Sequence, residues 1–98
     1  MPDPRVYGLI GLARRARKIS VGLPAVERDL KSSRAKLILI DADAGKNTQK
    51  KLCSLCENLN VPFRQLPTGE LERILGDFTV CAALTDENFS SQILKYND

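Results

Sequence analysis

Apolar residues recur along this chain in two periods, and the switches between them lay out its elements. Between residues 4 and 17, Val6, Leu9, Ile10, Ala13 and Ala16 fall at three- and four-residue steps, the stripe of a helix packed on one side. Asp3 can cap that helix and Pro4 can take its first position. Gly8 and Gly11 lie within it, at a spacing that lets another backbone approach closely. Ile19 to Val21 is long enough only for a brief strand. Gly22 breaks the run and Pro24 opens a second helix, with Leu23, Val26 and Leu30 inward and Lys31 to Arg34 at its end.

Four consecutive aliphatic residues, Leu37 to Ile40, sit within the segment 35–41 and predict a central strand buried on both faces. Asp43 to Asn47 reads as a loop and cap. A third helix runs to about Asn58 with Leu52, Leu55, Cys56 and Leu59 on one face. Val61 to Leu66 predicts a strand whose Pro62 places it at an edge or marks its start. Thr68 is placed to cap a short helix carrying Leu71, Ile74 and Leu75, which Gly76 ends. Phe78 to Leu84 reads as a strand, and Asp86 or Asn88 as the cap of a last helix with Phe89, Ile93 and Tyr96. Short buried strands alternating with helices predict a mostly parallel sheet covered on both faces. The 98 residues make one domain, residues 1–98, without repeat or linker.

Charge changes this picture. Met1 to Lys51 holds twelve Lys and Arg against five Asp and Glu, a balance of +7; the remainder holds three against seven, a balance of −4. That asymmetry, hidden in a net charge of +3, points to an anionic partner. Arg14, Arg15, Arg17 and Lys18 crowd the end of the first helix. A helix dipole favours cations there, which accounts for one or two of the four. In an alternating architecture the helix starts after successive strands share an edge. Gly22, Arg28, Lys46 and Asn47 would then line one rim, with helix N–H groups open to phosphate.

Other chemistry is sparse. The chain has no histidine, which removes the commonest general base and zinc ligand and argues against an enzyme. Cys53 and Cys56 form a CxxC, but mid-helix and without a second ligand pair, so all three cysteines read as packing thiols of a reducing compartment. Asp41 and Asp43 at a strand end lack a nucleophile or base beside them. No glycine belongs to a nucleotide fingerprint, so no cofactor and no metal is expected. No run is apolar for the length of a membrane span, and the reading is a cytoplasmic protein without membrane contact.

An ordered set of residues carries a resemblance. Gly11-Leu-Ala-Arg-Arg-Ala-Arg-Lys18, Gly22, Lys36-Leu-Ile-Leu-Ile40, Asp43-Ala44, Asn47-Thr48, Lys50-Lys51, Cys56, Val61-Pro62 and Thr85-Asp86 with Phe89 resemble the bacterial YlxQ-like proteins of the ribosomal protein L7Ae and L30e superfamily of kink-turn RNA binders. The resemblance spans Gly8 to Leu94. It implies a three-layer α/β/α sandwich with a four-stranded mixed sheet. It implies a non-enzymatic, monomeric protein associated with ribosomal or kink-turn-containing RNA, with the ribosome or its proteins, and with translation.

The family reads RNA at the turn into the second helix, which implies Val21, Gly22, Leu23 and Arg28 as contacts here, joined by Arg14, Arg15, Arg17, Lys18, Lys46 and Asn47. Pro24 and Ala25 stand at the base-reading places and offer no side-chain hydrogen bond, and Glu72 replaces a glycine common among relatives. The expectation is therefore binding through phosphate and shape, with a protein–protein adaptor on the same fold as the alternative.

Overall fold

A computed structural model describes residues 3–76 and 78–97. Within them the chain runs α1 (Pro4–Arg15), β1 (Ile19–Val21), α2 (Leu23–Lys31), β2 (Leu37–Asp41), α3 (Lys46–Leu59), β3 (Phe63–Leu66), α4 (Glu70–Leu75), β4 (Cys81–Leu84) and α5 (Glu87–Asn97). The strands form one sheet in the order β1-β4-β2-β3. β2 pairs parallel with β3, whereas β4 pairs antiparallel with both β1 and β2. The sheet is thus mixed, as the resemblance implied, and the mostly parallel sheet read from alternation alone is wrong. β3 ends and β4 begins at the same edge of the sheet, so the last strand runs against its neighbours.

Side-chain alternation builds the three layers. Leu37 and Leu39 of β2, with Ala82 and Leu84 of β4, face α1, α4 and α5 and pack on Val6, Ile10, Leu71 and Ile93. Ile38 and Ile40, with Cys81 and Ala83, face α2 and α3 and pack on Val26, Leu30, Leu52 and Cys56. Both faces of β2 and β4 are buried, which is why each reads as a continuous apolar run. Burial pushes the Cys56 and Cys81 thiols up to about 11, so both are neutral packing groups.

Several boundaries differ from the sequence reading for identifiable reasons. α1 stops at Arg15 because Arg17 turns left-handed (φ 59°), and the Lys18 N–H closes on the Ala13 carbonyl at 2.8 Å. Ser33 (φ 62°) and Asn60 (φ 56°) end α2 and α3 in the same way. α3 begins after Gly45, with no side-chain cap, and Gly69 rather than Thr68 precedes α4. Asp86 does cap α5, accepting from the Phe89 N–H at 3.0 Å. β3 starts at Phe63, and β4 is confined to 81–84 because Phe78 is left-handed (φ 54°). Gly8 and Gly11 admit no close backbone: a Cβ on either would meet nothing within 4 Å.

Asp41, at the end of β2, is the joint between loops. Its buried carboxylate accepts from the Asp43 N–H at 2.7 Å through Oδ1 and from the Gly69 N–H at 2.8 Å through Oδ2. Its own N–H donates to the Val80 carbonyl at 2.8 Å. The loops after β2 and β3 and the entry to β4 are thereby tied to one residue. Gly22, at the corresponding end of β1, adopts φ 93° and ψ 155°, a conformation open in practice only to glycine, while its N–H donates to the Cys81 carbonyl at 3.1 Å.

Two outcomes follow from these joints. Asp41→Ala removes a charged acceptor from two hydrogen bonds and should cost about 2–4 kcal/mol in urea unfolding, with Asp41→Asn, which keeps one acceptor oxygen, losing less. Gly22→Ala should cost about 1–3 kcal/mol by the same measurement, although its methyl has open space around it, because the strain lies in the backbone.

Candidate nucleic-acid interface

Because β4 lies antiparallel between β1 and β2, those two strands point the same way and end on one edge of the sheet. That edge gathers the start of α2 at Gly22, the loop 42–45 and the start of α3, the turn 67–69, and the segment 78–80 entering β4. We call it the rim. Neither α2 nor α3 has a side-chain cap on its first turn, so N–H groups at both starts are available to an acceptor from outside. Lys46 and Asn47 stand exposed on the first turn of α3. Behind them, Gln49 donates to the Ala44 carbonyl at 2.7 Å and receives the Gln65 amide at 3.3 Å, which holds the loop in place.

The sequence reading placed Val21 on this edge but missed Phe78 and Val80. Phe78 is 86% exposed, Val80 41% and Val21 38%. Val80 follows the buried Thr79, whose hydroxyl donates to the Gly76 carbonyl. Phe78 holds a positive φ that bulky side chains rarely adopt, and it faces solvent. The segment 78–84 is rich in apolar residues and reads as one strand, which hid the exposure of Phe78.

The expected site residues divide into two groups. Val21, Gly22, Leu23, Lys46 and Asn47 share the rim. Arg15, Arg17 and Lys18 lie at the opposite edge, where β1 begins, because the three residues of β1 intervene. Arg28 sits on the sixth residue of α2, about 9 Å along the helix from its start, and lines a hollow at that opposite edge with Arg17 and Thr85. The rim of Gly22, Arg28, Lys46 and Asn47 therefore forms without Arg28. Arg14 bonds the Leu75 carbonyl through its guanidinium, joining α1 to the end of α4.

Asp43 is exposed and caps nothing, and Asp41 is committed to backbone N–H groups, so these two carboxylates form no paired site. Among the described residues, no cluster of acidic, cysteine or histidine side chains is arranged to hold a metal ion. No described helix is long and apolar enough to cross a membrane.

Comparison with known proteins agrees with this architecture. The chain is 35% identical over 94 residues to the RNA-binding protein YlxQ of Bacillus subtilis, covering 94% of each. It is 28% identical over 89 residues to the RNA-binding protein YlxQ of Enterococcus faecium, covering 90% of this chain and 86% of that one. A Bacillus halodurans protein of unknown function superposes with a TM-score of 0.90 at 27% identity, over 96% of this chain and 97% of that one. The 15.5 kD RNA-binding protein of Giardia lamblia shares the fold, with a TM-score of 0.76 at 19% identity over 95% of this chain and 88% of that one. The model of the ribosomal protein L7Ae/L30e/S12e/Gadd45 family matches residues 4–95, and the chain belongs to that family.

Proposed function

We propose that this protein binds RNA through the rim. The observation that carries the reading is a combination at one sheet edge: two uncapped helix starts, the cation of Lys46, and the exposed Phe78, Val80 and Val21. Backbone N–H groups and Lys46 suit phosphate oxygens, and Phe78 offers a face on which an unstacked base can lie. A duplex stacks its bases internally and has no use for such a face. A bulged or kinked RNA does, which favours a kink-turn or a similarly bent segment. Pro24 is exposed and carries neither a side-chain donor nor a backbone N–H, so this surface selects RNA by shape and phosphate placement. The curated relatives named as RNA-binding proteins support the ligand class. A role on ribosomal RNA in the cytoplasm, as a monomer and without catalysis, is the wider proposal.

The same exposed apolar residues motivate a second reading, a protein adaptor on this fold. Titration of a fluorescent kink-turn RNA and a straight duplex of equal length separates the two. The expected result is tighter binding to the kinked RNA, weakening steeply between low and moderate salt. Phe78→Ala should lower affinity by about 1–3 kcal/mol at every salt concentration, as loss of a stacking face does. Lys46→Ala should lower the salt slope by about one phosphate contact. Equal binding of both RNAs by all three proteins would remove the rim from RNA recognition.

A further inference from the structure

Most of the rim's separate pieces meet at Asp41. Its Oδ1 accepts from the Asp43 N–H at 2.7 Å, which holds the loop 42–45 just ahead of Lys46 and the uncapped start of α3. Its Oδ2 accepts from the Gly69 N–H at 2.8 Å, which holds the turn 67–69. Its own N–H donates to the Val80 carbonyl at 2.8 Å, which holds the segment that carries Phe78 and Val80. The groups suited to phosphate and the face suited to a base are therefore located from one residue.

The type of side chain matters as much as its place. Asp41 is 5% exposed. A buried negative charge beneath a surface that receives phosphate works against the ligand, because like charges repel more strongly where water is excluded. The loop it holds has little else to order it: Ala42, Asp43 and Gly45 are exposed, and Ala44 alone is buried. A carboxylate has two acceptor oxygens and no donor, so it accepts from both loops at once. An asparagine would turn an amide N–H toward one of them and lose that bond. A loop left free would have to be ordered as RNA arrives, which subtracts from affinity. The loss falls unequally on different RNAs. A kinked strand presents phosphate and an unstacked base at a set separation, so it depends on the placing of α3 against Phe78. A straight duplex offers no such base and does not.

We propose that Asp41 is the positioning residue of the rim: its carboxylate fixes the start of α3 relative to Phe78 before RNA arrives, and thereby sets the preference for kinked RNA over duplex. Asp41 touches neither RNA. This inference rests on the rim reading and adds to it the group that determines shape selectivity.

Anisotropy titrations of a fluorescent kink-turn RNA and a straight duplex of equal length test it. They use the full chain, Asp41→Asn and Asp41→Ala, at a temperature where circular dichroism shows each folded. Asp41→Asn should narrow the ratio of the two affinities by about threefold to tenfold, the share of one net hydrogen bond that RNA must re-form, and Asp41→Ala by more. Loss of the negative charge favours both RNAs alike, since both carry phosphate, and cancels in the ratio. Ile93→Ala, a core truncation in the layer of α1, α4 and α5, also destabilises the fold and should leave the ratio unchanged. Equal narrowing in Ile93→Ala, or an unchanged ratio in both Asp41 variants, would overturn the proposal and leave the rim reading standing. No preference for kinked RNA in the unaltered chain would overturn the rim reading and this inference with it. Hydrogen exchange of the unaltered chain gives a check that needs no variant to fold. The Asp43 and Gly69 amides should be as protected in the free protein as in its complex with the kink-turn RNA. Protection that arises only with RNA would overturn the role of Asp41.

Discussion

Everything at the two edges depends on β4 lying antiparallel between β1 and β2. Its backbone pairs Ile19 to Val21 on one side and Leu37 to Ile40 on the other. Those pairings force β1 and β2 to run the same way, although they never touch. Their C-terminal ends then emerge together, and so do the helices that follow them. β4 tolerates this central place because Ala82 and Ala83 are small enough to let helices from both sides close over the sheet, while Cys81 and Leu84 fill the space at its ends.

The same arrangement sorts helix ends by sign. The starts of α2 and α3 lie on the rim, where aligned peptide dipoles add partial positive charge to the cation of Lys46. The ends of α1 and α2 lie on the other edge, where the dipoles are negative and the positive character comes from arginine and lysine. The edges are thus basic for different reasons. At the rim part of the charge is fixed in the backbone, beside Lys46, and apolar groups frame it. At the hollow it resides on long side chains that must be ordered to act. A buried carboxylate serves each edge differently: Asp41 is saturated by backbone N–H groups, whereas Asp29 is not.

The layers were legible because Leu37 to Ile40 could be nothing but a buried strand, and because Pro4, Pro24 and Gly76 sit where helices begin or end. Strand direction was not. Periodicity reports which face of a strand is buried and says nothing of which way it runs beside a neighbour, so alternation suggested a parallel sheet. The candidate site suffered from the same gap. Arg14 to Lys18 and Gly22 are close in sequence, yet β1 carries the chain from one edge to the other between them. Phe78 escaped notice since its place in an apolar run resembles that of a core residue. Its left-handed backbone, visible only in three dimensions, is what turns it outward.

The left-handed residues that close the first three helices set a limit on how stable this fold is. Arg17, Ser33 and Asn60 each stand where a glycine would relax the turn. Asparagine tolerates that conformation well, so Asn60 leaves little to gain. The reserve of thermal stability lies at Arg17 and Ser33, both in the wall of the basic hollow. A variant evolved for heat resistance would draw first on those two positions, and would strip the hollow as it did so. Hardiness and the chemistry of that edge are therefore set against each other in the same few atoms of backbone.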